Sequence, residues 1–219
     1  MIVFAPNVGP PDLRQLFTKP HAWDGARQHI GAYKFYSHHL RVDEGEHDLV
    51  GPNTYPALRD VGAFRKVRDW GLQTYVETGV VKEWDCDGTQ LLARAHRILD
   101  RVEDAGGRVD VLSLDEPLTS GIRGAFPRPT CYDIHHVHTV AEITATFIKA
   151  MHGRGVRCEL LDAYPQHSVD RHVPFLHHVI EILDRRGAQR PVAFQLDYDP
   201  FALRAQNLSL GRVRKDLDR

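Results

Sequence analysis

Two adjacent acids, Asp115 and Glu116, stand at the end of an apolar run and are followed by Pro117. Adjacent carboxyl groups at a strand end point in slightly different directions. One can therefore protonate a leaving oxygen while the other orients a substrate or shifts the pKa of its neighbour. The proline ends strand pairing and holds the turn that follows. This Asp-Glu-Pro motif predicts general acid/base chemistry at Glu116, with Asp115 assisting.

Other polar side chains recur at the ends of short β-rich runs, and period-two alternation predicts which of them face the interior of a barrel. The predicted interior and rim residues are Asn7, Lys34, Tyr36, His38, Gln73, Tyr75, Glu77, Ser113, Asp162, Tyr164, Gln195 and Asp197. Together with Asp115 and Glu116, the three acids of this list would place five carboxylates at one end of the barrel, its mouth. They cannot all ionise without compensating cations, hydrogen bonds or protonation. Such crowding separates pKa values, so one carboxyl group can act as an acid while another remains a base.

These residues also have structural interpretations. Strand-end acids can cap the following helix or accept hydrogen bonds from loop amides. Lys34 is expected to pair with Glu77 or Asp115 as a charged substrate-binding group, the alternative being a Schiff-base lysine. Aromatic side chains near the mouth could stack on sugar rings or simply pack the rim. They are Tyr75, Trp84, Phe126, Tyr164 and Tyr198.

The elements that must position these residues follow a strand–helix rhythm, which is typical of parallel α/β architecture. Strands are predicted at 2–7, 31–39, 72–80, 109–117, 157–165 and 191–200. Helices are predicted at 11–18, 55–70, 89–105, 133–152, 169–186 and 200–216, with Asp133 as N-cap of the fourth. The longer loops 41–54 and 118–132 follow the carboxyl ends of strands, where the functional sites of such folds lie.

The 219 residues form one predicted domain, 1–219, with about six TIM-barrel-like units. At a pitch of about 38 residues, a full (β/α)8 barrel would need about 300 residues, against a typical size of roughly 250. The prediction is therefore an incomplete barrel with open edges at strands one and six. Such edges are a liability, so we expect self-association or a missing C-terminal segment to cover them.

The Asp-Glu-Pro motif carries a family resemblance. A Glu-Pro at the end of strand four resembles the acid/base signature of retaining glycoside hydrolases with (β/α)8 barrels, in which Asn usually precedes the Glu. The Asp-Glu pair is similar to hexosaminidase-type barrels, in which the Asp positions an acetamido group. The resemblance implies cleavage of a glycosidic bond in a carbohydrate substrate, with Glu116 as general acid/base and no cofactor.

The departure from the family pattern concerns the nucleophile. In the Asn-Glu-Pro enzymes it comes from strand seven, which lies beyond the six strands counted in this chain. Asp197 is the first candidate for this role and Glu77 the second. A retaining mechanism would need a carboxyl separation of about 5–5.5 Å from Glu116, and an inverting mechanism about 6.5–9.5 Å.

Two other functions fit the same residues. The first is a divalent-metal-dependent barrel resembling the xylose-isomerase and endonuclease-IV type. Oxygen-rich ligation there would suit Mg²⁺ or Mn²⁺. Its candidate ligands are His38, Glu77, Asp115 or Glu116, Asp162 and Asp197. The second is a non-catalytic sugar-binding barrel, which the incomplete strand count makes credible.

Composition excludes several other classes. The net charge of −1 provides no electrostatic footprint for nucleic acid or an anionic membrane. No apolar run is long enough to span a bilayer, and the N-terminus lacks signal-peptide features, which fits a cytoplasmic or a mature secreted chain. Three cysteines without a CxxC pair argue against a disulfide framework or a cysteine zinc site. Neither a Gly-rich phosphate loop nor a GxSxG elbow is present.

Overall fold

The computed structural model describes residues 1–41, 50–82, 84–122, 136–198 and 200–217. Six strands form one sheet whose order follows the chain, β1-β2-β3-β4-β5-β6. Their bounds are β1 Val3–Phe4, β2 Ala32–Tyr36, β3 Gln73–Gly79, β4 Val111–Asp115, β5 Arg157–Tyr164 and β6 Phe194–Tyr198. The β1–β2, β2–β3 and β5–β6 pairs are parallel. The predicted fold class is confirmed: TIM-barrel-like β/α repeats in an incomplete barrel.

Helices separate the strands. They are α1 Gln15–Thr18, α2 Asp24–Arg27, α3 Tyr55–Asp60, α4 Ala63–Asp69, α5 Thr89–Asp104, α6 Pro117–Gly121, α7 Val137–Gly153, α8 Val169–Arg185, α9 Pro200–Ala205 and α10 Leu210–Leu217. Two 3-10 turns cover Pro20–Trp23 and Ser37–Leu40. None of the helices in the described ranges is long and apolar enough to cross a membrane. The strands β1 and β6 end the sheet order, and a cover for them stays a prediction.

The chain divides into two compact units. The first comprises Met1–Thr78 and Ala93–Ser113, and the second comprises Gly79–Leu92 and Leu114–Arg219.

The first unit has an aromatic core. The ring of Phe17 stacks on Trp70 with centroids 5.9 Å apart and meets Tyr33 edge-on at 5.4 Å. Tyr33 and Phe35 lie on alternate positions of β2, so their side chains leave the same face of the sheet. A separate apolar cluster consists of Val3, Ala32, Tyr75 and Val111. Both faces of β2 are therefore packed.

The second unit packs α7 against α8 and β5. Buried side chains from both helices, such as Phe147 and Val179, line this core. Gly121 at the end of α6 lies close to α7, since a Cβ added there would stand 2.7 Å from Val140 Cγ2. A larger residue at this position would push α6 away from α7.

Several predicted boundaries differ from the structure. The predicted helix 55–70 is two helices, because Gly62 adopts a left-handed φ of 69° and ends the first one. Residues 118–121 of a predicted loop belong to α6. The start of α7 at Val137 follows His136 as N-cap, and the predicted N-cap Asp133 lies outside the described residues. The predicted helix 200–216 is divided into α9 and α10.

The cysteines also differ from expectation. Cys86 is disulfide-bonded, which the odd cysteine count did not predict. Cys158 on β5 is free and buried, and burial raises the pKa of its thiol to about 12. A thiol with this pKa is inert at neutral pH.

Candidate active site

The carboxyl end of β4 carries a compact charged cluster in the second unit. Lys82 Nζ donates to Asp115 Oδ2 at 2.9 Å and to Ser120 Oγ at 3.0 Å. The same Nζ lies 3.7 Å from Glu116 Oε2. One ammonium group thus lies between two adjacent carboxylates, so the cluster of Lys82, Asp115 and Glu116 holds an excess of negative charge when both acids ionise.

Backbone geometry turns Glu116 out of the strand. Its φ of 48° and ψ of 46° are left-handed, which costs a non-glycine residue about 1–2 kcal/mol. The Glu116 N–H donates to the carbonyl of Leu161 at 2.7 Å, and its carbonyl accepts the N–H of Ser120 at 2.8 Å. Pro117 begins α6 at once. The chain therefore leaves the β4 ladder at the residue predicted to be the acid, and unfavourable backbone conformations of this kind cluster at functional sites.

Asp162 on β5 performs the capping role considered for the strand-end acids. Its carboxylate accepts the N–H groups of Leu118 at 2.8 Å and Thr119 at 3.2 Å, in the first turn of α6. It also accepts the N–H of Ala163 at 3.0 Å. Among the residues described, the Glu116 side chain makes no capping hydrogen bond. The structural interpretation therefore applies to Asp162, and the Glu116 carboxyl remains available for chemistry.

Burial and neighbouring charge raise the pKa of Glu116 to about 7. Burial is the largest cause, and the Asp115 carboxylate adds to it. Lys82 opposes the rise, while Asp162 and Asp197 support it. A carboxyl group with this pKa holds its proton at mildly acidic pH and exchanges it near neutrality, as a general acid/base must.

Lys82 was missed by the sequence analysis. It lies in a turn closed by an antiparallel bridge between Lys82 and Asp85, in which the Asp85 N–H donates to the Lys82 carbonyl at 2.9 Å. The buried Asp85 carboxylate accepts the N–H of Leu91 in α5 at 2.6 Å, which anchors the turn. A lysine directly after the apolar pair Val80 and Val81 was the available signal, two residues beyond the predicted strand 72–80.

The predicted facing of β5 was wrong. Asp162 and Tyr164 were expected to share the interior face with Gln195 and Asp197. The observed parallel register instead places Ala163 beside Asp197, so Asp162 and Tyr164 lie on the opposite face of the sheet. Both side chains are buried there.

The reason lies in the composition of β5 itself. Glu159 and Asp162 are three residues apart, so alternation cannot bring both to one face. Glu159 takes the face predicted for Asp162, where its carboxylate accepts a hydrogen bond from Gln195 Nε2 at 2.9 Å. Nearly the whole strand is buried, so polarity does not reveal its phase. Glu159 is therefore a second buried acid of β5, beside Asp162, that the sequence analysis passed over.

In the first unit, Lys34 pairs with Glu77. The two charged atoms, Lys34 Nζ and Glu77 Oε2, lie 3.4 Å apart, which fits the paired hypothesis for this lysine. Tyr75 belongs to the apolar cluster with Ala32. His38 lies in the 3-10 turn Ser37–Leu40 and is half-buried. Asn7 bonds locally, since its side-chain oxygen accepts the N–H of Val8 at 2.7 Å. Substrate binding by these residues remains a prediction.

The candidate stacking residues divide by exposure. Trp84 and Tyr198, both in the second unit, are 43% and 40% exposed. Tyr75 and Tyr164 are buried, so their rings pack the interior. Phe126 lies outside the described residues. Of the four candidates within the described ranges, Trp84 and Tyr198 therefore present an accessible ring.

The metal hypothesis gains no geometric support. Across the described ranges, no three His, Cys, Asp or Glu side chains approach closely enough to hold an ion. Asp162, one of its candidate ligands, already accepts three backbone N–H groups.

Comparison with known proteins identifies neither a family nor an activity for this chain. No family model matches the chain, and no curated protein does. Similar solved structures include the HMG-CoA lyase from Brucella melitensis, with 11% identity, a TM-score of 0.46 and coverage of 89% of this chain and 58% of the lyase. Another is the apo structure of a β-glucosidase, with 12% identity, a TM-score of 0.45 and coverage of 85% and 55%. The chain thus spans little more than half the length of either protein.

Proposed function

We propose that this chain is a glycoside hydrolase-like enzyme that cleaves a glycosidic bond with Glu116 as general acid/base. The observation that carries the proposal is the state of the Glu116 carboxyl. It lies at the end of β4 without a capping role, and its pKa is raised to about 7. A carboxyl group must hold a proton near neutral pH to protonate a departing sugar oxygen.

The neighbouring charges suit the same reaction. The Lys82 ammonium lies 2.9 Å from the Asp115 carboxyl group, so a cation is paired with the acid beside Glu116. Two adjacent carboxyl groups in different surroundings can take different roles in acid/base catalysis. Protonated Glu116 donates to the leaving oxygen, and Asp115 stabilises positive charge that develops on the sugar ring. After the proton has left, the Glu116 carboxylate can accept one from an attacking water.

The second carboxylate is assigned to Asp197, with Glu77 as the other candidate. Asp197 is exposed on β6, and its charge contributes to the raised pKa of Glu116. The stereochemistry of the first-formed sugar, followed by NMR, separates a covalent from a direct displacement, because only the covalent route retains the anomeric configuration. If Asp197 is the nucleophile, Asp197→Asn should abolish the covalent, retaining reaction. If Asp197 instead activates the water, the same change should abolish the direct displacement.

The decisive variant is Glu116→Gln, compared with Glu181→Gln at an exposed glutamate of α8. We expect E116Q to lower kcat by about 10²–10⁴-fold on phenyl glycosides, whose leaving groups need protonation. Dinitrophenyl glycosides should lose much less, because their leaving groups depart without a proton. The E181Q control should retain the wild-type rate on both substrates.

Three outcomes would contradict the proposal. Wild-type activity in E116Q would remove Glu116 from the mechanism. Activity lost in excess EDTA and restored by Mg²⁺ or Mn²⁺ would favour the metal-dependent alternative. Saturable sugar binding without turnover of any glycoside would favour the sugar-binding alternative.

A further inference from the structure

The backbone on both sides of Glu116 is fastened to β5. Before the turn, the Glu116 N–H donates to the Leu161 carbonyl at 2.7 Å. After the turn, the N–H groups of Leu118 and Thr119 donate to the Asp162 carboxylate at 2.8 and 3.2 Å. The left-handed conformation of Glu116 is thus held between two attachment points. A conformation that costs about 1–3 kcal/mol persists only where its surroundings over-determine it.

The Asp162 carboxylate is inaccessible to a substrate, with 0% of the residue exposed. Two histidines of the second unit, His167 and His172, are also buried. The Nε2 atom of His172 is 3.8 Å from Asp162 Oδ1, and its Nδ1 lies 3.1 Å from the Ser168 carbonyl. Asp162 is therefore buried, with its carboxylate bonded to N–H groups of α6 and the His172 ring 3.8 Å away. The predicted role of Asp162 in direct substrate binding does not fit this burial.

We propose that Asp162 is a positioning residue for Glu116: it holds the first turn of α6 and thereby aims the acid. This inference rests on the proposed function for its catalytic meaning. The structural part of the inference does not depend on that function, because Asp162 would orient Glu116 whatever reaction Glu116 serves. A group that acts through such fixed geometry can strongly affect rate, since misplacement by about 1 Å can cost 10²-fold.

The charge of Asp162 also acts on Glu116. Among the described residues of this unit, four charged groups act electrostatically on the Glu116 carboxyl: Asp115, Lys82, Asp162 and Asp197. Of these, Asp162 is the one whose hydrogen bonds connect it to the backbone of α6. Removing its charge should lower the pKa of Glu116, and removing its oxygen atoms should also release the turn.

Two substitutions separate these effects. Asp162→Asn keeps one acceptor oxygen and the side-chain shape but removes the charge, whereas Asp162→Ala removes both. For D162A we expect kcat to fall about 10²-fold with little change in KM, because orientation is lost rather than substrate contact. For D162N we expect a smaller loss and an alkaline limb of kcat that moves to lower pH. Asp184→Asn is the control, because Asp184 is a surface partner of Arg190.

Two readouts do not require turnover. Carboxyl-carbon NMR of labelled glutamate, with the Glu116 signal identified by E116Q, should show a lower titration midpoint in D162N and no change in D184N. Amide hydrogen exchange at Leu118 and Thr119 should be slow in the wild type and fast in D162A. If D162A does not fold, amide exchange at Leu118 and Thr119 in D162N decides the inference, because asparagine offers one acceptor oxygen in place of two.

Equal amide protection at Leu118 and Thr119 in the wild type and D162A would overturn the inference, and an unchanged Glu116 midpoint in D162N would remove its electrostatic part. These results are distinct from a failure of the proposed function. Full glycosidase activity in E116Q would refute the function while the NMR titration still tested the link between Asp162 and Glu116.

Discussion

Each unit of the chain has a lysine beside strand-end carboxylates, and the two clusters differ in their balance of charge. In the first unit, Lys34 faces Glu77 at 3.4 Å, and their side chains are only 7% and 20% exposed. In the second, Lys82 lies 2.9 Å from Asp115 and 3.7 Å from Glu116. In the second cluster a second acid lies beside the pair, and its charge adds to burial, which is the largest cause of the raised pKa of Glu116. The comparison teaches that burial together with a neighbouring like charge marks the candidate catalytic group.

The largest effect on stability is expected from Lys34→Met. It would leave the Glu77 carboxylate in a largely buried position without its lysine, and breaking such a pair costs about 3 kcal/mol or more. Chemical denaturation should show this loss in the free energy of unfolding. The double variant K34M/E77Q should recover much of it, because neither charge then remains. A loss below about 1 kcal/mol would show that this pair behaves like a surface ion pair.

Removing Glu116 from the second cluster should raise the free energy of unfolding, whereas removing Lys34 from the first cluster should lower it. The pKa of Glu116 is raised from 4.5 to about 7, so its contribution to stability is complete below pH 4.5 and is lost as pH rises through about 7. Glu116→Gln should therefore match the wild type at pH 4 and exceed it at pH 8 by at most about 3 kcal/mol. Unfolding curves at both pH values measure this difference, with E181Q as control. If E116Q were less stable than the wild type at pH 8, loss of a charged group would destabilise both clusters, and the contrast between them would fail.

Lys82→Met should sharpen the contrast through acidity. Lys82 lowers the pKa of Glu116, so without this cation the pKa should rise further above about 7. The alkaline limb of the kcat profile should move upward with it. The exposed Lys149 on α7 provides the control, K149M, which should leave the limb in place. A downward shift in K82M would contradict the assigned role of Lys82.

The smallest effect is expected from Ser120→Ala. This change removes the hydroxyl that accepts from Lys82 Nζ at 3.0 Å but leaves the contact with Asp115. The expected loss is about 1 kcal/mol in the free energy of unfolding, which is typical of one hydrogen bond. The alkaline limb of the kcat profile should barely move, because Lys82 keeps its contact with Asp115. A shift as large as that in K82M would show that Ser120, rather than Asp115, determines where the ammonium lies.

Local patterns in the sequence predicted the elements of the fold well. The long amphipathic segments and apolar runs correspond to α5, α7, α8 and strands β2 to β6, with ends shifted by a few residues. Boundaries failed where one residue decides them, as at Gly62, or where a short helix follows a strand, as at α6. Such turns depend on close packing and on capping groups distant in sequence, which a local pattern does not contain.

The candidate site was predicted only where its residues adjoin in the sequence. Glu116 and Asp115 were recognised because two acids and a proline adjoin in the chain. Lys82 was not, because its partner Asp115 lies 33 residues away. The facing of Asp162 was wrong, because the buried strand β5 shows no alternation of polarity to set its phase.

The sequence by itself determined the strand–helix rhythm and the acids available at strand ends, since alternation and apolar spacing are local properties of the chain. Only the tertiary structure decided what each acid does. Asp162 became a buried cap, Glu77 the partner of Lys34, and Glu116 the acid whose pKa approaches neutrality. The physical reason is that burial and Coulomb interactions depend on distances between residues far apart in sequence, and those distances exist only once the chain has folded.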